Sequence, residues 1–196
     1  MRVKFMLSLI AGFILIFSGT AALSGEMDKL GPAVGDALPH DLSVNSQPAY
    51  SELTGEKGAV IFFVRPISWC PYCKNQIINI SSNAAEFEAR GRSLIYISYD
   101  AAADQAQFRT SKNLNGTFVS DTNSEIIDAF GLRNTDYDEE HFAHGAPHPA
   151  IFFVSNDGVI QAKLYEEDYL ENGRSYQNRP ALDVILETAD DIGSAG

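Results

Sequence analysis

Apolar positions follow two kinds of pattern along this chain. One is a single block near the start, Phe5 to Phe17, broken only by Ser8 and Gly12. The other is a series of short runs separated by polar turns. Ala59 to Val64 is unbroken, β-branched and aromatic, and lies between Gly58 and Pro66, which predicts a strand buried on both faces. From Pro71 the spacing changes. Ile77, Ile78, Ala84, Ala85 and Phe87 suit one face of a helix running to about Arg90, with Gly91 as its stop. Leu94 to Tyr99 predicts a second strand, Ala101 to Lys112 a helix, Thr117 to Ser120 a short strand, and Asn123 to Phe130 a helix closed by Gly131. Ala150 to Val154 and Val159 to Tyr165 flank Asn156-Asp157-Gly158 and read as a hairpin. A last helix opens at Arg179 or Pro180 and runs to about Ala189. Before these elements come an extended arm from Glu26 to His40, a possible edge strand at Asp41 to Val44, and one helical turn at Tyr50 to Leu53. Leu132 to His148 is a long polar loop. The order predicts one α/β domain over residues 25–196, a central mixed sheet flanked by helices. Right-handed crossovers make its early strands parallel, and the hairpin adds antiparallel ones.

The first block is a separate object. Arg2 and Lys4 precede it, and small residues at Thr20, Ala22 and Ser24 follow, the layout of a signal peptide over residues 1–24. An uncleaved membrane anchor is the alternative. Either way the rest of the chain is expected to be exported, periplasmic or secreted, and membrane-attached only if the segment stays. The 196 residues carry a net charge of −12, which argues against a nucleic-acid partner.

The candidate chemistry sits where the first buried strand hands over to a helix. Cys70 and Cys73 are the only cysteines, and Pro71 stands between them at a position where a first helical turn tolerates proline. A helix N-terminus carries partial positive charge and free N–H groups, which favour thiolate over thiol. A two-residue gap at a strand–helix turn is a redox spacing, and the only intrachain disulfide possible is Cys70–Cys73. As the nearer to the turn, Cys70 is expected to be the exposed attacker and Cys73 to resolve the mixed disulfide. A pair of buried structural thiols is the plain alternative. Export would keep the pair out of the reducing cytosol.

These residues resemble the thioredoxin-fold redoxins of the alkyl hydroperoxide reductase/thiol-specific antioxidant (AhpC/TSA) family, which includes the peroxiredoxins. The likeness spans about Val34 to Tyr165. It rests on Val34-Gly35-Asp36-Ala37-Leu38-Pro39, the block from Phe62 to Cys73, Ile97-Ser98-Tyr99-Asp100, Ser120-Asp121 and Ala129-Phe130-Gly131. Cys70-Pro71-Tyr72-Cys73 is also similar to the glutaredoxin tetrapeptide, and Trp69 stands where thioredoxins place a tryptophan. The resemblance implies a thioredoxin-like fold, a cis proline at Pro149 beside the cysteines, and His148 near Cys70 as a stabiliser of its thiolate. The chain departs from the peroxiredoxin signature. Counted from Pro66, Cys70 occupies the place of its hydroxyl residue and Cys73 that of the peroxide-attacking cysteine, and the family's arginine before a late strand is not evident.

Trp69 is a candidate to shape a peptide-binding surface, and Arg65 to place positive charge near the thiolate; packing and a surface ion pair are their plain alternatives. An ordinary trans proline and a water-facing histidine are those of Pro149 and His148. Tyr72 is given no catalytic role. The sequence therefore predicts an antioxidant thiol–disulfide oxidoreductase with a Cys70/Cys73 redox-active disulfide. It needs no metal or organic cofactor and exchanges electrons with a dithiol or disulfide protein. A thiol peroxidase acting on peroxide is the first alternative. A copper-binding metallochaperone, using His141, His144 and His148 with the cysteines, is the second.

Overall fold

In the computed structural model the described residues are 30–166, 168, 172, 174 and 177–194. The predicted signal peptide or anchor lies outside them. Among them no helix is long and apolar enough to cross a membrane. Among the described residues eleven elements follow one another: α1 (Tyr50–Leu53), β1 (Gly58–Phe63), α2 (Pro71–Ser82), α3 (Ala84–Glu88), β2 (Arg92–Ser98), α4 (Ala102–Lys112), β3 (Thr117–Ser120), α5 (Glu125–Ala129), β4 (Ala150–Val154), β5 (Ile160–Tyr165) and α6 (Leu182–Ser194).

The strands form one sheet in the order β3-β2-β1-β4-β5. β1 runs parallel to β2 and β2 to β3, while β4 is antiparallel to both β1 and β5, as the sequence order predicts. β1 starts at a glycine for a steric reason. Gly58 has φ of 119°, and a Cβ there would lie 1.9 Å from the Val154 carbonyl oxygen across the β1–β4 pairing.

Alternation along the strands fills two cores. Ile61, Phe63, Ile95, Ile97, Phe152 and Val154 face one side and pack with Ile126, Ile127 and Phe130 of the α5 region. There the rings of Phe63, Phe130 and Phe152 lie 4.6–5.7 Å apart, centroid to centroid. Val60, Phe62, Val64, Leu94, Tyr96, Ile151 and Phe153 face the other side. They meet Ile77 and Ile80 of α2, Phe87 of α3, and Ile185 and Ala189 of α6. Burying each of these large side chains contributes about 1.5–3 kcal/mol. Both cysteines belong to this second core.

Three expectations are corrected. The helix predicted from Pro71 to Arg90 is two helices, broken at Asn83 (φ −111°, ψ 22°). The Ser82 hydroxyl donates to the Ile78 carbonyl and the Asn83 amide to that of Asn79, each at 2.8 Å, so these polar side chains compete for the last turn. Asp41 to Val44 is not a strand. Leu42 and Val44 are buried as the alternation required, but the backbone N–H of Ser43 bonds the Asp41 carboxylate at 3.0 Å and that of Leu42 the His40 ring at 2.9 Å, and Leu42 has φ of 67°. The last helix begins at Leu182, after Arg179 and Pro180, and continues to Ser194.

Candidate active site

The site is made where β1 runs out. Val64 still bonds the Ile97 carbonyl at 3.0 Å, and then Pro66 turns the chain. The Pro66 carbonyl accepts from Trp69 N–H at 3.3 Å and Cys70 N–H at 2.9 Å. A buried carboxylate holds this turn from the neighbouring strand. Asp100 accepts from the N–H groups of Ile67 at 2.8 Å and Ser68 at 3.2 Å, and from the Ser98 hydroxyl at 2.6 Å. Gln105 braces Ser98 in turn, donating to its hydroxyl at 3.0 Å. Asp100 is only 5% exposed, so it forms part of the frame rather than the surface.

Cys70 caps α2. Its sulfur accepts from the Cys73 backbone N–H at 3.3 Å, the role usually filled by serine or aspartate. Pro71 takes the first helical position, where no N–H is needed. Cys73, one turn inward, receives a contact from far along the chain: Arg179 Nη2 donates to its sulfur at 3.1 Å. Neither cysteine is in a disulfide.

The two sulfurs share a proton unequally. A hydrogen bond from the Cys73 thiol, the Cys73 N–H, and the nearby charges of Arg179 and Arg65 bring Cys70 down to about 6, against the cost of burial. Burial pushes Cys73 up, and holding its proton toward Cys70 pushes it further, with Arg179 pulling the other way. At neutral pH the pair is a monoanion with its charge on Cys70 and its proton on Cys73.

Exposure corrects one expectation. The sequence predicts Cys70 as the open, reachable sulfur, but it is 1% exposed and Cys73 is 0%. Helix α2, the second core and the Arg179 segment close over the pair. A cavity of about 160 Å³, lined by Arg65, Gln76, Tyr137, His148, Pro149 and Arg179 among others but by neither cysteine, meets the pair at Arg179.

The other candidates fall out unevenly. Arg65 is buried and stacks over the Tyr137 ring at 5.4 Å, and its charge favours the Cys70 thiolate. His148 lines the cavity, but burial and the charge of Arg65 bring it down to about 4. It is neutral at pH 7 and brings no positive charge to the thiolate, contrary to expectation. Pro149 follows a trans peptide bond, not a cis one, since none of the described residues has a cis bond. It opens β4 from the cavity wall. Trp69 is half-buried and edge-on to Phe142 at 5.3 Å; Phe142 is 74% exposed. Tyr72, given no role, is exposed on α2. The histidines do not gather into a metal site. His141 stacks on Tyr137 and accepts from Ala143 N–H at 3.1 Å, His144 bonds the Tyr137 carbonyl at 3.1 Å, and among the described residues no group of three possible metal ligands forms. Their loop follows its own turns rather than converging on the sulfurs.

Sequence reasoning missed Asp100 as the brace of the turn and Arg179 as the partner of Cys73. Ser98-Tyr99-Asp100 at a strand end offered a signal for the first. Nothing local marks the second, which lies 106 residues from its partner.

Comparison with known proteins agrees with this architecture. The model of the AhpC/TSA family matches residues 35–163. A relative from Haemophilus influenzae, "Putative peroxiredoxin bcp", is 26% identical over 132 residues, 65% of this chain and 83% of that protein. Peroxiredoxin 6 of Arenicola marina superposes with a TM-score of 0.65 at 16% identity, over 83% of this chain and 74% of that one. AhpC of Mycobacterium tuberculosis gives 0.62 at 22% identity, over 84% and 94%. PrxQ of Xylella fastidiosa gives 0.62 at 15% identity, over 84% and 98%. The chain belongs to the AhpC/TSA family and is a peroxiredoxin-like oxidoreductase on a thioredoxin-like fold.

Proposed function

We propose that the protein is a thiol peroxidase that reduces small hydroperoxides with Cys70 and Cys73. The observation that carries this reading is a thiolate-bearing pair buried to 1% and 0%, whose partner Arg179 lines a cavity of about 160 Å³ that neither sulfur itself lines. A sealed thiolate is out of reach of a disulfide on a folded protein, whereas a hydroperoxide is small enough to use such a cavity. This reverses the ranking drawn from sequence, and the family match and the "Putative peroxiredoxin bcp" relative support the reversal.

In this scheme the Cys70 thiolate attacks the outer peroxide oxygen. The O–O bond breaks, the remaining oxygen takes up a proton and leaves as an alcohol or water, and Cys70 becomes a sulfenic acid. Cys73 then attacks that sulfur, and its own proton leaves with the hydroxyl as water. The pair has supplied two electrons and become a disulfide, which an external dithiol reduces. Arg65 and Arg179 favour the charged sulfur. The signature counted from Pro66 points instead to Cys73 as attacker; the lower proton affinity of Cys70 is why we assign the attack to it. We place the protein outside the cytosol on the composition of residues 1–24 alone. Sequencing the N-terminus of the mature protein checks that placement.

The test is peroxide consumption by the reduced protein, followed by stopped flow through Trp69, the single tryptophan, next to Cys70. The expected rate exceeds that of a free thiol of the same acidity by about 10²-fold or more, the scale of positioned acid–base catalysis. Cys70→Ser removes it, while Cys73→Ser keeps one turnover and accumulates sulfenic acid. A rate no better than free thiol removes the proposal. Loss of the burst in Cys73→Ser with retention in Cys70→Ser transfers the attack to Cys73.

One observation keeps dithiol exchange as a second reading. A C-x-x-C pair with a thiolate on the helix cap suits attack on disulfides. It requires the Arg179 segment or the turn to open. Insulin-disulfide reduction faster than peroxide reduction would select it.

A further inference from the structure

A second thiol where the family signature has a hydroxyl creates a difficulty of its own. Two sulfurs compete for one negative charge in a buried site. The first step needs the charge on one of them and the second step needs it on the other. Once Cys70 is oxidised it can no longer hold the charge, and Cys73 must lose its proton while 0% exposed. Burial alone would stall that step.

The fold supplies one guanidinium at the place where this matters. Arg179 Nη2 lies 3.1 Å from the Cys73 sulfur, and Nη1 donates to the Asn178 carbonyl beside it. The arginine comes from the residues just before α6, beyond the 35–163 stretch that matches the family. α6 is anchored by Ile185 and Ala189 in the core that holds both cysteines. A bidentate pair also ties it to the segment after α3, with Arg90 Nε and Nη2 donating to Asp190 at 2.7 and 2.9 Å. Hollows lie on both sides of this arginine. One is the cavity shared with Arg65 and His148, and the other lies against Tyr72, Asn75, Asn79 and Ile80 of α2. Residues 177–180 thus cross the Cys73 face of α2 as a strap.

We infer that Arg179 serves the second step of the cycle: its guanidinium takes up the charge of the Cys73 thiolate as that sulfur attacks oxidised Cys70. The step balances as written above. The Cys73 S–H bond breaks, an S–S bond forms, the S–O bond of the sulfenic acid breaks, and proton and hydroxyl leave as water. No further oxidant is needed. The inference rests on the peroxidase reading for the identity of the first step, but not for the contact between Arg179 and Cys73.

Two measurements separate these dependencies. The first involves no peroxide. In a Cys70→Ser protein the Cys73 thiolate is titrated by its absorbance near 240 nm, with and without Arg179→Gln. The expected result is a midpoint at least one pH unit higher without the arginine, with Arg179→Lys between the two because it keeps the charge and loses the fork. In a Cys73→Ser protein the same change moves Cys70 by less than half as much. Equal shifts at the two sulfurs, or no shift at Cys73, overturn the inference.

The second measurement follows one oxidation cycle. Arg179→Gln slows conversion of the Cys70 sulfenic acid to disulfide by tenfold or more at pH 7, read as capture by a dione trap. Attack on peroxide, where Arg179 supplies one of two nearby positive charges, slows less than disulfide formation does. A slowing that is equal in both steps overturns the inference. If peroxide is not consumed at all, the peroxidase reading fails while the titration still decides the role of Arg179. Arg179→Lys covers the case in which the glutamine variant does not fold.

Discussion

The two walls around the sulfurs are held in different ways. The wall formed by residues 64–73 is fixed by the sheet itself. β1 delivers it, Ile97 and Pro66 carbonyls bond it, and the Asp100 carboxylate draws two of its N–H groups toward the next strand. The wall formed by residues 177–180 has no strand behind it. It depends on how α6 seats against the second core and on the contact of Arg179 with Cys73. The first wall sets where the thiolate is, and the second affects what its neighbour can do. A site assembled from a rigid and a less rigid wall can keep its geometry at the reacting sulfur while the other side admits substrate.

The largest effect is expected from breaking the rigid wall. Asp100→Ala leaves two backbone N–H groups and the Ser98 hydroxyl without their shared acceptor in a buried turn. The loss in urea unfolding should be about 3–5 kcal/mol, because buried donors keep the cost of leaving water. The Cys70 thiolate should also weaken, since the cap geometry depends on the turn. Asp100→Asn should recover part of the stability, because its one carbonyl oxygen accepts where the carboxylate did. A loss below about 1 kcal/mol for the alanine variant would mean that the strands alone hold the wall.

Next in size is the pH dependence stored in the sulfur pair. Cys70 in the folded protein is lowered from an ordinary 9.0 to about 6. Between those values the unfolded chain keeps a proton there that the folded one has lost, so stability rises with pH across that window. The gain is on the order of 2–3 kcal/mol once solvent screening is allowed for. Falling pH removes it progressively down to about 6. Above 9 the sign turns, because Cys73 is pushed up by burial and folding then retains a proton that unfolding would release. Urea titrations of the reduced protein from pH 5 to 10 should therefore show a maximum near 9. Cys70→Ser should flatten the rising limb. A rising limb of unchanged size in that variant would assign the dependence to another group.

A milder change sharpens the contrast from the other side. Ile185 of α6 is fully buried in the core that contains both cysteines. Ile185→Val removes one methylene and should cost about 0.5–1.5 kcal/mol. If the second wall depends on the seat of α6, formation of the Cys70–Cys73 disulfide should slow, while Cys70 acidity stays close to that of the parent. Acidity and disulfide formation changing in equal measure would mean that the two walls are one unit.

What the sequence could say about this site follows the same division. The buried run Ala59 to Val64, the turn at Pro66 and the helix after Pro71 are local patterns, and together they place Cys70 on the cap and Cys73 one turn in. The parallel and antiparallel pairings follow from the order of runs. Asp100 was visible as a residue in a familiar string, but its use as a brace depends on β2 lying beside β1. Arg179 read only as a helix opener, because its meaning comes from α6 packing across the sheet. The misplaced strand at Asp41 to Val44 shows the limit of period alone. Its inward and outward positions were right, while side-chain acceptors at His40 and Asp41 took the backbone bonds that a ladder would have used.

The smallest effect is expected at His148, and it tests the claim that the Cys73 hydrogen bonds and the two arginines, rather than the histidine, set the thiolate. His148 shares the cavity with Arg65 and Arg179. Burial and the charge of Arg65 bring it down to about 4, so it is uncharged wherever the protein would meet peroxide near neutrality. A neutral ring adds little field at Cys70. His148→Asn should leave the Cys70 midpoint within about 0.3 units, and the reactivity profile should show the single rise near 6 that belongs to Cys70. Nuclear magnetic resonance of the ring should find its own titration well below 6.5. The sign matters here. A His148 that gained a proton between 6 and 7 would help the thiolate at low pH and withdraw that help as pH rose, giving a bell where a simple rise is expected. A bell-shaped profile that loses its second limb in His148→Asn would return the histidine to the thiolate and leave the arginines as framework.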